Sequence, residues 1–192
     1  MTRSGTEHPV RPSDTGPGAQ GAVLGHPIAR TEQQVAVKLW LLAAARDREE
    51  AREQWRQPDG IALLPCGQRF SAVRIPARVV WAALKTDVLR DVDERMNKWF
   101  DGGAVLMDLH SHMYYALVPS EAEWTWTDRE CPGVGLLGGN SLLGIPAVQR
   151  TEPRGRAYWC MPMETPGDLC HLDEVEQLVT EGCRSLREKG AQ

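Results

Sequence analysis

Apolar positions are sparse over the first thirty residues of the chain and then recur in short, changing patterns, so the elements can be read off one after another. Residues 1–30 are dominated by Gly, Pro, Ser, Thr and charged side chains, and such a segment cannot bury enough surface to offset its ordering entropy. They are expected to form a disordered tail, with residues 31–192 as a single domain. From Thr31, apolar residues at Val35, Leu39 and Leu42, with Trp40 and Ala43 beside them, follow helical spacing to about Arg46. Asp47 is placed to cap a second helix over 48–57, anchored by Trp55 and ended by Pro58-Asp59-Gly60. Residues 61–64 and 70–75 are β-prone runs joined by a tight connection containing Gly67, and predict two strands paired with each other. Residues 77–100 return to helical spacing, with a break expected near Thr86-Asp87, where Asp87 would cap the second piece.

Residues 103–119 are the most informative stretch. Their β-branched, aromatic and alternating side chains, bounded by Gly102-Gly103 and Pro119-Ser120, predict one long strand. Successive strand side chains point to opposite faces. One face is therefore expected to carry Val105, Met107, Leu109, Ser111, Met113, Tyr115 and Leu117, and the other Asp108, His110, His112 and Tyr114. An oily face backed by a carboxylate, two imidazoles and a phenol points to a sheet that floors a cleft.

Farther on, Trp124 and Trp126 lie in a polar loop or edge strand and are read as covering the edge of the core, with base stacking as the alternative. Residues 134–146 predict a hairpin turning at Gly138-Gly139-Asn140. Residues 157–161 predict a short strand, and 172–189 a terminal helix with Leu172, Val175, Leu178, Val179 and Leu186 on its buried side. The order of elements gives an α+β domain around a largely antiparallel sheet, flanked by helices.

Composition narrows the function. With 192 residues, 42% of them apolar, the chain supports one domain with a sizeable core. A formal charge of −4 and an isoelectric point near 5.8 argue against holding nucleic acid by a broad basic face. Five cysteines (Cys66, Cys131, Cys160, Cys170, Cys183), scattered and without a CxxC pair, indicate neither a zinc knuckle nor a disulfide framework and read as reduced thiols of a cytoplasmic protein. No run approaches the roughly 20 apolar residues of a membrane span, and the N-terminus lacks the charged-then-apolar order of a signal peptide. The acidic cluster Asp87, Asp91, Asp93 and Glu94 reads as a solvated helix face. Cys66 has no neighbouring base and reads as a small buried turn residue. On the central strand, Asp108-x-His110-x-His112 would place three competent ligands about 6 to 7 Å apart on one face, a candidate zinc or manganese site.

Taken together, several blocks resemble the N-terminal domain of bifunctional DNA primase/polymerases, the archaeo-eukaryotic-primase-like prim-pol fold of plasmid and phage replication proteins, and the looser set of single-domain bacterial proteins related to it. Trp55, then Ile61-Ala62-Leu63-Leu64-Pro65-Cys66-Gly67 and Ser71-Ala72-Val73-Arg74-Ile75-Pro76 resemble the family's first block, which ends in Asp-x-Asp. Ser111-His112-Met113-Tyr114-Tyr115-Ala116-Leu117-Val118-Pro119 resembles its histidine block. Residues 134–146 resemble a third block that opens with an Asp, and Gly155-Arg156-Ala157-Tyr158-Trp159 a later aromatic element. The resemblance covers about residues 35–160. It implies nucleotidyl transfer by acidic residues holding two divalent ions, yet the positions matching the three carboxylates are Arg74, Pro76 and Gly135.

By this resemblance His112 matches the histidine that reaches a phosphate of the incoming nucleotide. Arg74, unable to hold a metal, is suited to pair with a phosphate itself, and Ser111 and Tyr114 are further candidates for that pocket. The leading expectation is a catalytically degenerate domain that binds nucleotide or nucleic acid and acts in regulation. One alternative is an active primase/polymerase using manganese or magnesium with nucleotide at a relocated site of Asp108, His110, His112 and a helix carboxylate such as Asp87. The other is a module that meets a replication or regulatory protein through its tail or its Trp124/Trp126 surface, its cleft vestigial.

Overall fold

The computed structural model describes Met1 and residues 27–127 and 131–190; the tail expected over 1–30 therefore falls outside the described residues except at its ends. Residues 27–30 already belong to the first helix. The domain is α+β, with helices α1 (Pro27–Leu42), α2 (Arg48–Arg56), α3 (Ala77–Leu84), α4 (Leu89–Trp99), α5 (Ala122–Thr125) and α6 (Leu172–Gly190). The strands are β1 (Ile61–Pro65), β2 (Ser71–Pro76), β3 (Ala104–Asp108), β4 (Met113–Val118), β5 (Gly135–Leu137), β6 (Leu142–Pro146) and β7 (Ala157–Met161). Five of them form an antiparallel sheet in the order β5-β2-β4-β3-β7, and β1 pairs with β6 in a second sheet.

Several local expectations hold. Asp47 caps α2, its carboxylate accepting the backbone N–H groups of Glu49 and Glu50. The helix over 77–100 does break into α3 and α4, although the residue preceding α4 is Val88 and its N–H is met by the Thr86 hydroxyl rather than by Asp87. Two pairings are corrected. β1 and β2 do not pair with each other, and 134–146 is not a hairpin: β5 joins β2 in the large sheet while β6 joins β1 in the small one. The chain thus passes between the sheets at 66–70 and again at 138–141. The two passages lie against each other, with the Cys66 N–H donating to the Ser141 carbonyl at 3.0 Å. Gly67 has a φ of +87°, and a Cβ there would collide with the backbone of Gly139. A bulkier residue at 67 would force the passages apart.

Three layers result. One face of the large sheet, through Val73, Ile75, Val105, Met107, Tyr114 and Ala116, packs on α3, α4 and α6. The opposite face, through Ala72, Ala104, Leu106, Leu117 and Trp159, packs on α1, α2 and the small sheet. Two tryptophans tie this second layer down, the Trp55 indole donating to the Ile145 carbonyl at 2.9 Å and the Trp159 indole to the Pro146 carbonyl at 3.1 Å. On α1 the buried residues are Val37, Leu41 and Leu42, whereas Val35 and Leu39 of the expected apolar face are 52% and 56% exposed. Trp126 packs against the core but Trp124, on α5, is 85% exposed.

The cysteine expectation is also corrected. Cys131 and Cys183 are joined in a disulfide with Cα atoms 6.0 Å apart, and Cys66, Cys160 and Cys170 are free and buried. Among the described residues no helix is long and apolar enough to cross a membrane.

Helix α6 lies close on α3 because Gly182 has no side chain: a Cβ there would meet the Val79 carbonyl oxygen and side chain. Gly182→Ala is expected to destabilise the domain by about 1–3 kcal/mol, as overpacking of a close contact does, despite alanine's better helix propensity. Urea denaturation of the two proteins measures the difference; equal midpoints would show that the helices separate without cost.

Candidate functional site

The expected long strand over 103–119 is two strands. The chain reverses over 109–112, with Asp108 opposite Met113. The Asp108 carboxylate builds this turn by accepting the N–H groups of His110 at 2.9 Å and Ser111 at 3.3 Å, the local side-chain bonding that favours Asp in turns. His112 then takes a left-handed conformation with φ +53°. Reversal resets the alternation. Tyr114 joins Met107 on the helix-covered face, and Tyr115 joins Leu106 and Asp108 on the other.

The second layer covers only part of that other face. At the end of the sheet near the turn, three strands place Gly135, Arg74 and Tyr115 side by side, since Arg74 is in register with Gly135 of β5 and with Tyr115 of β4. Arg74 is exposed, and no hydrogen bond or ion pair engages its guanidinium among the described residues. A Cβ placed on Gly135 would meet nothing within 4 Å, so the space beside the guanidinium is open. Tyr115 is half-buried. Burial and the nearby Asp108 carboxylate push its phenol above the ordinary value, while hydrogen bonding with Ser111 and the charge of Arg74 pull it back. Arg74, Tyr115, Ser111 and Asp108 therefore form one group on an open shelf of the sheet. A free guanidinium flanked by two hydroxyls is suited to an anion with several acceptor oxygens.

The structure does not bring all the expected site residues together. His112 is directed to the helix layer, its ring 6.2 Å from that of Trp81 on α3, and so lies away from Arg74. Tyr114 is fully buried on the helix side, its hydroxyl 3.3 Å from the Trp81 indole nitrogen, which donates to it. Asp108, His110 and His112 surround a turn rather than sharing a strand face. Among the described residues no group of three or more His, Cys, Asp or Glu side chains is arranged to hold a metal ion. Arg74 and Pro76 stand on β2 and Gly135 on β5, so no carboxylate occupies those three positions.

A second polar group sits on the helix side. The Tyr158 hydroxyl donates to the Asp93 carboxylate at 3.0 Å. Burial raises the Asp93 pKa from 3.8 to about 7, an effect only partly offset by that hydrogen bond. Asp93 belongs to the acidic cluster expected to be a solvated face, but its spacing of three from the buried Met96 marks it as inward-facing. Unbroken alternation likewise puts Tyr115 on the core face, and it reaches the shelf because the turn resets the pattern. Cys66 is buried as expected, its thiol pushed up to about 11 by burial and by the Glu123 charge.

No family model, curated protein or solved structure matches this chain.

A carboxyl whose folded pKa lies above its unfolded value holds its proton better in the native state, so its contribution is most favourable below about pH 4 and is lost as pH rises through about 7. Asp93→Asn, which keeps the acceptor for Tyr158, is expected to remove this slope. Between pH 5 and pH 8 the wild type should lose on the order of 1–2 kcal/mol relative to the variant, allowing for solvent screening. Urea titrations at the two pH values measure it, and parallel losses would show Asp93 ionised throughout.

Proposed function

We propose that the shelf around Arg74 binds the phosphate groups of a nucleotide or nucleic-acid end without a metal ion, in a domain of prim-pol type that has lost nucleotidyl transfer and acts in binding or regulation. The observation that carries this reading is the register of Arg74 with Gly135. Two of the positions that the resemblance matches to metal-holding carboxylates come from distant parts of the sequence and pair directly across adjacent strands, next to open space. An arginine there supplies positive charge where a carboxylate would have recruited a cation. It does so with a planar fork of donors that fits phosphate oxygens in pairs. Tyr115 and Ser111 add hydroxyl donors, and the half-buried setting of Tyr115 strengthens its bond relative to one made in open water.

Turnover has weaker support. The relocated site of Asp108, His110, His112 and Asp87 would need those side chains to converge, but His112 turns toward Trp81, and the Asp108 carboxylate is engaged by the turn. A protein-interaction role is favoured by one observation, the 85% exposure of Trp124 on α5. Tryptophan is enriched at protein–protein interfaces relative to the rest of the surface.

Thermal shift with ATP and with dATP, each with manganese or with EDTA, tests the reading on wild type, Arg74→Ala and Trp124→Ala. A ligand at a hundredfold excess over its dissociation constant stabilises the folded state by about 2.7 kcal/mol, a rise of several degrees for a domain of this size. The rise is expected in EDTA as well as in manganese. Arg74→Ala should weaken binding about ten- to a hundredfold, the worth of a charge-assisted hydrogen bond, and Trp124→Ala should leave it unchanged. A shift seen only with manganese would return the site to metal chemistry. Absence of any shift would make the shelf a relic and leave Trp124 as the surface to pursue.

A further inference from the structure

We propose that the Cys131–Cys183 disulfide is a thiol-exchange site, open to a small dithiol or a dithiol protein, whose reduction loosens the strand edge beside Arg74. The effect on the shelf rests on the anion-binding reading above; the exchange chemistry does not.

The bridge joins two parts of the molecule that are held very differently. Cys183 belongs to α6, which is fixed independently by buried Val175, Leu178 and Val179 and by the close approach of Gly182 to Val79. Cys131 precedes an exposed Pro132-Gly133 link and then β5, which has only three residues and pairs on one side alone, with β2. Without the bridge, residues 131–134 keep the packing of Cys131 and Val134 at the margin of the core, the hydrogen bond from the Arg78 guanidinium to the Pro132 carbonyl at 2.6 Å and the turn bond from the Val134 N–H to the Cys131 carbonyl at 3.1 Å. Opening the bridge therefore leaves α6 in place and frees the segment that leads into Gly135, the residue in register with Arg74. Short segments with few buried contacts are where local opening begins.

The bridge is also reachable. A cavity of about 460 Å³ borders both cysteines and is walled by Val179, Thr180, Arg184 and Arg187. Cys131 is 6% exposed and Cys183 is half-buried, so the attack is assigned to the sulfur of the more accessible residue, Cys183. A thiolate of the reductant attacks it, the Sγ–Sγ bond breaks, and Cys131 leaves as a thiolate that takes a proton from water. The second thiol of the reductant then closes on the mixed disulfide and releases Cys183 as a thiol. The reductant ends as its own disulfide, and the protein has gained two electrons and two protons. The other cysteines do not compete, because burial keeps them as thiols, with Cys66 pushed up to about 11 and Cys170 to about 12.

Three measurements on the full chain, before and after dithiothreitol, test the proposal. Alkylation under native conditions, read by peptide mass, should label Cys131 and Cys183 after reduction and leave Cys66, Cys160 and Cys170 unlabelled. Amide hydrogen exchange over residues 131–137 should become roughly tenfold faster or more, while β3 and β4 are unchanged. ATP affinity should fall about three- to tenfold as the competent arrangement is less populated. Cys183→Ser should reproduce the reduced state without reductant. Failure of the bridge to open under native conditions, or unchanged exchange over 131–137 once it is open, overturns the proposal. Equal acceleration across β3 and β4 overturns it too, by making the bridge a general staple. Equal ATP affinity in both states removes the coupling to the shelf. If no ATP binds in either state the anion-binding reading has failed, and the labelling and exchange measurements still decide the exchange site.

Discussion

Two passages of chain lying backbone against backbone determine how this domain is assembled. At Gly67 there is no room for a side chain against the backbone of Gly139, and the bond from Cys66 to Ser141 fixes one passage against the other. Each passage carries the chain between the small sheet and the large one, so strands consecutive in sequence part company and the pairs β1–β6 and β2–β5 join strands distant in sequence. The donor of the bond to Ser141 belongs to buried Cys66, so separating the passages would leave its N–H unsatisfied. The positions of β1 and β6 over the large sheet follow from this contact, reinforced by the indole bonds of Trp55 and Trp159 to consecutive carbonyls of β6.

An open shelf is the consequence. The second layer covers the part of the sheet that carries Ala72, Leu106, Leu117 and Trp159, and those residues supply the apolar surface that holds it. Toward the Asp108 turn the same sheet face carries Arg74, Gly135 and Tyr115, which offer no comparable apolar surface. A guanidinium left in water between a glycine and a phenol costs little to maintain. The face is thus divided by residue type alone into a covered apolar part and an open polar one.

The turn at 109–112 separates two polar systems that alternation would have merged. On the shelf side, Tyr115 feels Asp108, Ser111 and Arg74. On the helix side, Tyr114 is bonded to Trp81, and Tyr158 is bonded to Asp93. The two tyrosines are adjacent in sequence, and the sheet between them keeps their environments apart. One system is open to ligands. The other is enclosed among α3, α4 and β7, where burial governs the carboxyl and the phenols alike.

Local patterns were enough to determine several of the elements. The cap at Asp47, the break between α3 and α4, the short strand Ala157–Met161 and the inward face of α6 each depend on contacts within a few residues, and each is legible in the order of side chains. Arg74 entered as a site candidate through the resemblance, as the residue matching a carboxylate position of the first block, and the structure places it exposed beside Gly135. Partnership was not legible. An apolar strand next to a glycine turn reads the same whether the chain folds back or crosses to another sheet, and only the contact at Gly67 and Gly139 makes 134–146 a crossing. Nor does alternation register a four-residue reversal within an apolar run, so His112 and Tyr114 were grouped with residues from which the fold separates them. The exposed side of α1 and the pairing of Cys131 with Cys183 likewise depend on elements far away in the chain. Side-chain order determines local conformation because its forces act within a turn or a strand. Pairing, facing and site geometry were decided in the tertiary structure, where burial and backbone bonding compare segments that the sequence keeps apart.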